Sequence, residues 1–439
     1  MVLVLILSVL SNVFYKRFII RLDREADVLI SGLNAVQTPE FGDFPSFPFG
    51  QAYFYGKVYM LIEYNSWASL YVKDYSILSY LPASVIYTIV HSEGEKISLT
   101  DEQKNVVQSF IYGKRERINT QQNLIVIMFE SLESWALEDV CGYTYMPCLN
   151  RIRDRQNSVL YCDRIHSQVR HANSADGLME VVTGLLPISN GATCVLYGNN
   201  DFPSFAECYD HSCVFECSDG LWNISTMANS YHFKQLQMPK KSHFPGDGGM
   251  FERINQYIDT VQCPFCVVAC TMTSHVPFAH GALHPKYKPE DMPGLMSAYL
   301  NSVAYTDSCI GQLFDKIQQS ELKDNTTIVV TGDHTIFRSV NSEIDDYAES
   351  QGINMQTTKT FTPLLIYSPA IDESRYIHEE LYQMDIYPTI LPLIGLDNYY
   401  WRGVGVNVLD EEAHSKRVLS DVKAYQLSDM IIRSNYFAE

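Results

Sequence analysis

Four short runs of almost unbroken apolar residues stand out along the chain, at residues 124–129 (LIVIMF), 264–271 (PFCVVACT), 326–331 (TTIVVT) and 363–367 (PLLIY). A continuous run of this length is the pattern of a strand covered on both faces; a half-exposed strand would alternate. Between the second and third runs, residues 291–319 carry Leu295, Met296, Tyr299, Val303, Ile310, Leu313, Phe314 and Ile317 at roughly helical spacing. That stripe predicts a long amphipathic helix. Upstream, Thr100-Asp101-Glu102-Gln103 has the form of a capping box, so a helix should start there and run towards residue 117. Strand and helix signals in alternation imply an α/β fold with a mostly parallel central sheet flanked by helices.

The amino-terminal pattern is different. Residues 1–15 (MVLVLILSVLSNVFY) are almost wholly apolar and are followed by Lys16, Arg17 and Arg21. Such a run falls short of the roughly 20 residues that span a bilayer, and no basic residue precedes it as in a signal peptide. Its charges also lie on the wrong flank for exporting the downstream domain. It reads either as the tail of the last helix of a larger membrane domain or as a buried or interfacial helix. Residues 16–99, with a Pro/Gly/Phe-rich stretch at 38–50 and aromatic segments after it, read as a juxtamembrane connector; residues 100–439 form the main domain.

The formal charge of −19 argues against a nucleic-acid surface, which needs a positive field over phosphates. It leaves room for a small phosphorylated substrate, because a metal ion can supply local positive charge. The eleven cysteines are odd in number, so at least one is outside any intrachain disulfide. Cys263 and Cys266 have the spacing of a metal or redox pair but no second pair to match, and they read as ordinary buried cysteines.

In open α/β sheets ligands bind beyond the carboxyl ends of the strands. The run ending at residue 129 is followed by Glu130-Ser131, the run ending at 271 by Thr273-Ser274-His275, and the run ending at 331 by Gly332-Asp333-His334. Carboxylates and imidazoles delivered to one sheet edge suit a divalent cation. Each signal alone has an ordinary reading, as a cap or a hydrogen-bonded loop residue; the convergence is what points to a site. A fourth element, Asn173-Ser174-Ala175-Asp176-Gly177, looks like a loop entering a short helix that closes at Gly184. There Ser174 is either a helix N-cap or a nucleophile, since the same position offers positive potential and free N–H groups to an alkoxide or a phosphate oxygen.

Five stretches, NLIVIMFESLESW (123–135), NSADGLMEVVTGLLP (173–187), TMTSHVPF (271–278), TGDHT (331–335) and QMDIYPTILPLIG (383–395), resemble in order the alkaline-phosphatase/sulfatase superfamily, specifically its lipoteichoic-acid-synthase-like phosphoglycerol transferases. The resemblance covers roughly residues 100–410. It implies an alkaline-phosphatase-like catalytic domain on the extracytoplasmic side of the cell membrane. It also implies one catalytic metal, manganese or magnesium with zinc as an alternative, bound by Glu130, Ser174, Asp333 and His334. Ser174 stands where the family places its nucleophilic threonine. His275 corresponds to the histidine that contacts the substrate phosphoryl group or leaving oxygen, and Trp222-Asn223 resembles a W-N pair near the glycerol-phosphate pocket. The implied partners are a phosphatidylglycerol-like donor lipid and a polyol or glycan acceptor. Asn173 stands where relatives carry a basic residue, which Arg170 or His171 could replace. Formylglycine sulfatase chemistry is discounted, because Ser174-Ala-Asp-Gly-Leu lacks the proline and arginine of the C/S-x-P-x-R pattern. A hydrolase on the same scaffold would need a second ligand set, for which His280 and His284 are loosely placed candidates; a catalytically inactive membrane-proximal binding protein is the remaining alternative.

Overall fold

A computed structural model describes residues 94–438, apart from residues 95, 117, 119 and 190 and the stretches 218–220, 240–245, 290–291, 337–341, 351–360 and 411–419. The apolar segment 1–15 and nearly all of the connector 16–99 lie outside the described residues. Where description begins, the chain already bonds to the main unit: Gly94 N donates to Leu196 O at 2.8 Å and Ile97 N to Arg433 O at 3.1 Å.

In chain order the strands of the main sheet are β1 (Asn123–Phe129), β2 (Val159–His166), β3 (His211–Glu216), β4 (Gln235–Gln237), β5 (Phe265–Cys270), β6 (Thr326–Gly332), β7 (Phe361–Tyr367), β8 (Arg375–Ile377) and β9 (Leu381–Tyr382). They lie in the order β8–β2–β7–β6–β1–β5–β3–β4, with β9 also pairing with β2. Only the pairs made by β7 are antiparallel. Every other strand therefore points its carboxyl end to one edge, as expected of a mostly parallel sheet. The four apolar runs are β1, β5, β6 and β7, and β1, β6 and β7 are buried along their whole length.

The helices include α1 (Asp101–Gln108), α2 (Ser174–Thr183), α3 (Ala279–Leu283) and α4 (Gly294–Gln318). Alternate side chains of β1 feed two cores. Leu124, Val126 and Met128 face the cluster that holds Leu178, Met179, Val181 and Val182 of α2. Ile125, Ile127 and Phe129 face the cluster that holds Tyr299, Val303, Ile310, Leu313, Phe314 and Ile317 of α4. This two-sided burial is why the strand reads as continuously apolar.

The capping box forms as expected: Gln103 N donates to Thr100 Oγ1 at 3.2 Å and Thr100 N to Gln103 Oε1 at 2.9 Å. The helix is shorter than expected, because the segment after Gln108 is taken up by tertiary pairing. Ile111 bridges to Trp401, and Tyr112 N donates to Tyr400 O at 2.7 Å. All eleven cysteines are free; Cys266 is buried on β5 as expected, but Cys263 is exposed, because it precedes the first residue of that strand.

Candidate active site

Parallel pairing of β1 with β6 sets Phe129 opposite Gly332. Glu130 and Asp333 therefore leave the sheet side by side, and Asp333 N closes the pair by donating to Phe129 O at 3.1 Å. Glu130, Asp333 and His334 each bring one potential ligand atom to within 4.8 Å of the others. They are only 1%, 3% and 3% exposed. The imidazole Nε2 of His334 lies 3.6 Å from Glu130 Oε1 and 3.6 Å from Asp333 Oδ2.

The fourth residue arrives from α2. Ser174 Oγ lies 3.3 Å from Glu130 Oε2 and 3.3 Å from His334 Nε2. Its place is not that of the cap, one of the two readings open to a serine there. Asn173 occupies the N-cap position, at φ 41° and ψ −107°, with no side-chain capping bond, and Ser174 is the first helical residue. The hydroxyl is thereby released from capping and turned towards the cluster.

The surrounding bonds hold this arrangement. Asp333 Oδ1 accepts from Ser131 N at 2.8 Å and from His334 N at 2.7 Å. His334 Nδ1 donates to Thr335 O at 2.8 Å, because a carbonyl only accepts, and Nε2 is the nitrogen that faces the cluster. Glu133 Oε1 fixes the next residue but one by accepting from Ile336 N at 3.0 Å. Asp176 Oδ2 accepts from Arg170 N and Ala172 N, both at 2.9 Å, and so shapes the loop before Ser174.

Burial and the neighbouring Glu130 push the Asp333 carboxyl well above the ordinary carboxylate range. For His334, burial works to lower basicity, but Asp333 and Glu130 outweigh it and raise the ring above its usual value. Two buried carboxylates this close repel one another, and a cation among them removes that cost. Two carboxylates, one imidazole and a hydroxyl also form the mixed hard and borderline donor set that divalent ions accept. The residues therefore fit a single divalent metal, and among the described residues this is the one His/Cys/Asp/Glu group of three or more so arranged.

Of the other residues singled out from sequence, His275 is exposed on the loop after β5 and donates from Nδ1 to Val276 O at 2.7 Å. Trp222 is half-buried in a left-handed conformation, while Asn223 donates from Nδ2 to Cys194 O at 2.7 Å. The Arg170 guanidinium stacks 3.9 Å from the centroid of the Tyr425 ring. Neither His275 nor Trp222 is among the groups that meet at the cluster.

Three supporting residues escaped sequence reasoning. Gly177 lies where a Cβ would come within 2.3 Å of Asp333 O, so only glycine lets α2 approach. Gln383 donates from Nε2 to Gly332 O at 3.1 Å and Asp333 O at 2.7 Å, and accepts from Gln168 N at 2.9 Å. Asp247 is fully buried and accepts from Met272 N at 2.8 Å and Thr273 N at 3.2 Å, which sets the start of the His275 loop. Gly177 and Gln383 lie within the quoted motifs, but only the folded contacts reveal their work.

Comparison with known proteins shows the family and the fold. The family model described as Sulfatase matches residues 122–396. Lipoteichoic acid synthase 2 of Bacillus subtilis (strain 168) is 23% identical over 334 residues, covering 70% of this chain and 50% of the relative. Lipoteichoic acid synthase of Staphylococcus aureus (strain USA300) is 22% identical over 309 residues, 64% of this chain and 47% of the relative. The chain thus spans about half the length of the curated relatives it matches. Among solved structures, the lipoteichoic acid synthase LtaP from Listeria monocytogenes superposes with a TM-score of 0.60 at 18% identity, over 77% of this chain and 98% of that one. The Streptococcus pyogenes phosphoglycerol transferase GacH, in complex with sn-glycerol-1-phosphate, gives 0.53 at 16% identity, over 77% and 95%.

Proposed function

Since the chain belongs to the sulfatase family, we propose that it is a metal-dependent transferase that moves a phosphoglycerol group from a membrane lipid to an acceptor hydroxyl through a covalent Ser174 intermediate. The observation that carries this reading is the meeting of the Ser174 hydroxyl with Glu130 and His334 at the amino terminus of α2. The lipoteichoic acid synthases and the phosphoglycerol transferase among its relatives support the substrate class.

Glu130, Ser174, Asp333 and His334 would hold one divalent ion, manganese or magnesium, with zinc as the alternative. When bound, such an ion lowers the pKa of the serine hydroxyl and stabilises charge on the phosphoryl oxygens. Ser174, only half-buried, loses its proton to water and forms a bond from Oγ to phosphorus. The bond between phosphorus and the lipid alcohol oxygen breaks, and that oxygen takes a proton from His275. The reacting nitrogen is Nε2, because Nδ1 is already committed to Val276 O. In the second step His275 removes a proton from the acceptor hydroxyl, whose oxygen bonds to phosphorus as Ser174 Oγ departs and takes a proton back from water, which restores both residues. Asn173 and Trp222 are proposed to contact the donor headgroup.

The site is proposed to work on the extracytoplasmic face of the cell membrane, with a phosphatidylglycerol-like donor and a polyol or glycan acceptor. Among the described residues no helix is long and apolar enough to cross a membrane. The direct experiment is incubation with phosphatidylglycerol and manganese. Diacylglycerol should be released, and the peptide containing Ser174 should gain the mass of a phosphoglycerol group. Full diacylglycerol release by Ser174→Ala would end the covalent reading, and glycerol phosphate set free without an acceptor would identify a hydrolase.

A further inference from the structure

His280 and His284 take no part in the cluster above. They stand one helical turn apart, on α3 and at its carboxyl-terminal cap, at a spacing that brings side chains to one face. Their ring centroids are 5.1 Å apart with the planes inclined at 55°. Among the described residues no hydrogen bond or ion pair occupies their ring nitrogens.

The turn that carries them is rigidly seated. A Cβ on Gly281 would come within 2.0 Å of Ala298 O and 2.7 Å of Ser302 N, so α3 lies directly on the backbone of α4. Gly281 N also donates to Ser302 Oγ at 3.1 Å. The His280 ring is backed by Tyr305 of α4, with centroids 4.0 Å apart. A chelate formed here therefore loses little conformational freedom on binding. Burial, reinforced by His284, lowers the basicity of His280 against an opposing pull from Asp247.

We propose that His280 and His284 form a second cation site, separate from the Glu130 cluster, for a zinc-like d-block ion whose remaining positions go to water or to an anionic oxygen. Two imidazoles with no carboxylate favour zinc, nickel or copper over magnesium or manganese. The same i, i+4 spacing of histidines on a helix is a recurrent zinc-binding arrangement. A Cβ on Gly246 would lie 3.6 Å from Thr273 Oγ1 and 3.7 Å from His280 Nδ1, so the site adjoins the loop that carries His275. An ion bound there adds positive charge to that loop. The inference does not depend on phosphoglycerol transfer.

The test is Ni²⁺ binding to the tag-free full chain, followed by calorimetry. The Glu130→Gln/Asp333→Asn variant should still bind one Ni²⁺ per chain, and adding His284→Ala should weaken that binding by at least about tenfold. In the otherwise unaltered chain, His284→Ala should remove one equivalent of Ni²⁺ while leaving Mn²⁺ binding and the metal-free melting curve unchanged. His284 is exposed, so its replacement spares the fold. Nickel uptake that is absent from the first variant, or that is indifferent to both His284→Ala and His280→Gln, overturns the proposal.

Discussion

Ser174 sits where a serine ordinarily spends its oxygen on the free N–H groups of a helix. Asn173 takes the cap position instead, and the hydroxyl is left for Glu130 and His334. Ser174→Ala should therefore abolish transfer while shifting stability by only about 0.5 kcal/mol, because a half-exposed hydroxyl is removed without leaving a cavity. Thermal melting alongside the diacylglycerol assay separates the two effects. Gln383 works indirectly, by tying the carbonyls of Gly332 and Asp333. Gln383→Leu leaves those buried acceptors unpaired. It should cost about 1–3 kcal/mol in urea unfolding and lower turnover by loosening Asp333, with a smaller effect on substrate affinity.

At the scale of elements, the site depends on how closely α2 lies against the end of β6. Gly177→Ala forces a methyl group against Asp333 O. The helix must back away, which should destabilise the protein by about 1–3 kcal/mol and move Ser174 out of reach. Recovery of full activity in a variant that melts normally would show that the approach is looser than this. Elements differ in how well their sequences announce them. β1, β5, β6 and β7 are legible because both faces are buried, so no charged residue interrupts them. In β2 the half-buried Asp163 and Arg164 break the run, and its register against β7 shifts between Cys162 and Ile165. The strands β4, β8 and β9, two or three residues long, are held by their neighbours and carry no pattern of their own. α1 is legible at its start, where the cap is local, and not at its end, where Trp401 and Tyr400 decide.

On the scale of the whole molecule, Arg115 ties distant parts of the chain together. It donates to Asp201 at 2.7 Å, to Glu207 at 3.0 Å and to Phe437 O at 3.0 Å. Burial alone would raise the Asp201 carboxyl, but His232 and Arg115 outweigh it and hold it at about 2. A carboxyl depressed in the folded state stabilises above its unfolded pKa, near 3.9, and that contribution is lost as pH falls towards 2. Asp201→Asn should therefore melt below the unaltered protein at pH 7, and the gap should close between about pH 4 and pH 2. A gap constant across that range would remove Asp201 from the account.

The amino-acid sequence by itself determined the α/β class, the strands at the heart of the sheet and the residues just beyond their ends. It could do so because two-sided burial is written locally as unbroken hydrophobicity and because parallel strands send their ends to one edge. It also marked Glu130, Ser174, Asp333 and His334 as candidates. That these four meet, and that Asn173 rather than Ser174 occupies the cap, comes from the tertiary structure. Those outcomes depend on Phe129 lying opposite Gly332 and on α2 resting against Asp333. Both are contacts between segments far apart in the chain, and no local pattern encodes their distance.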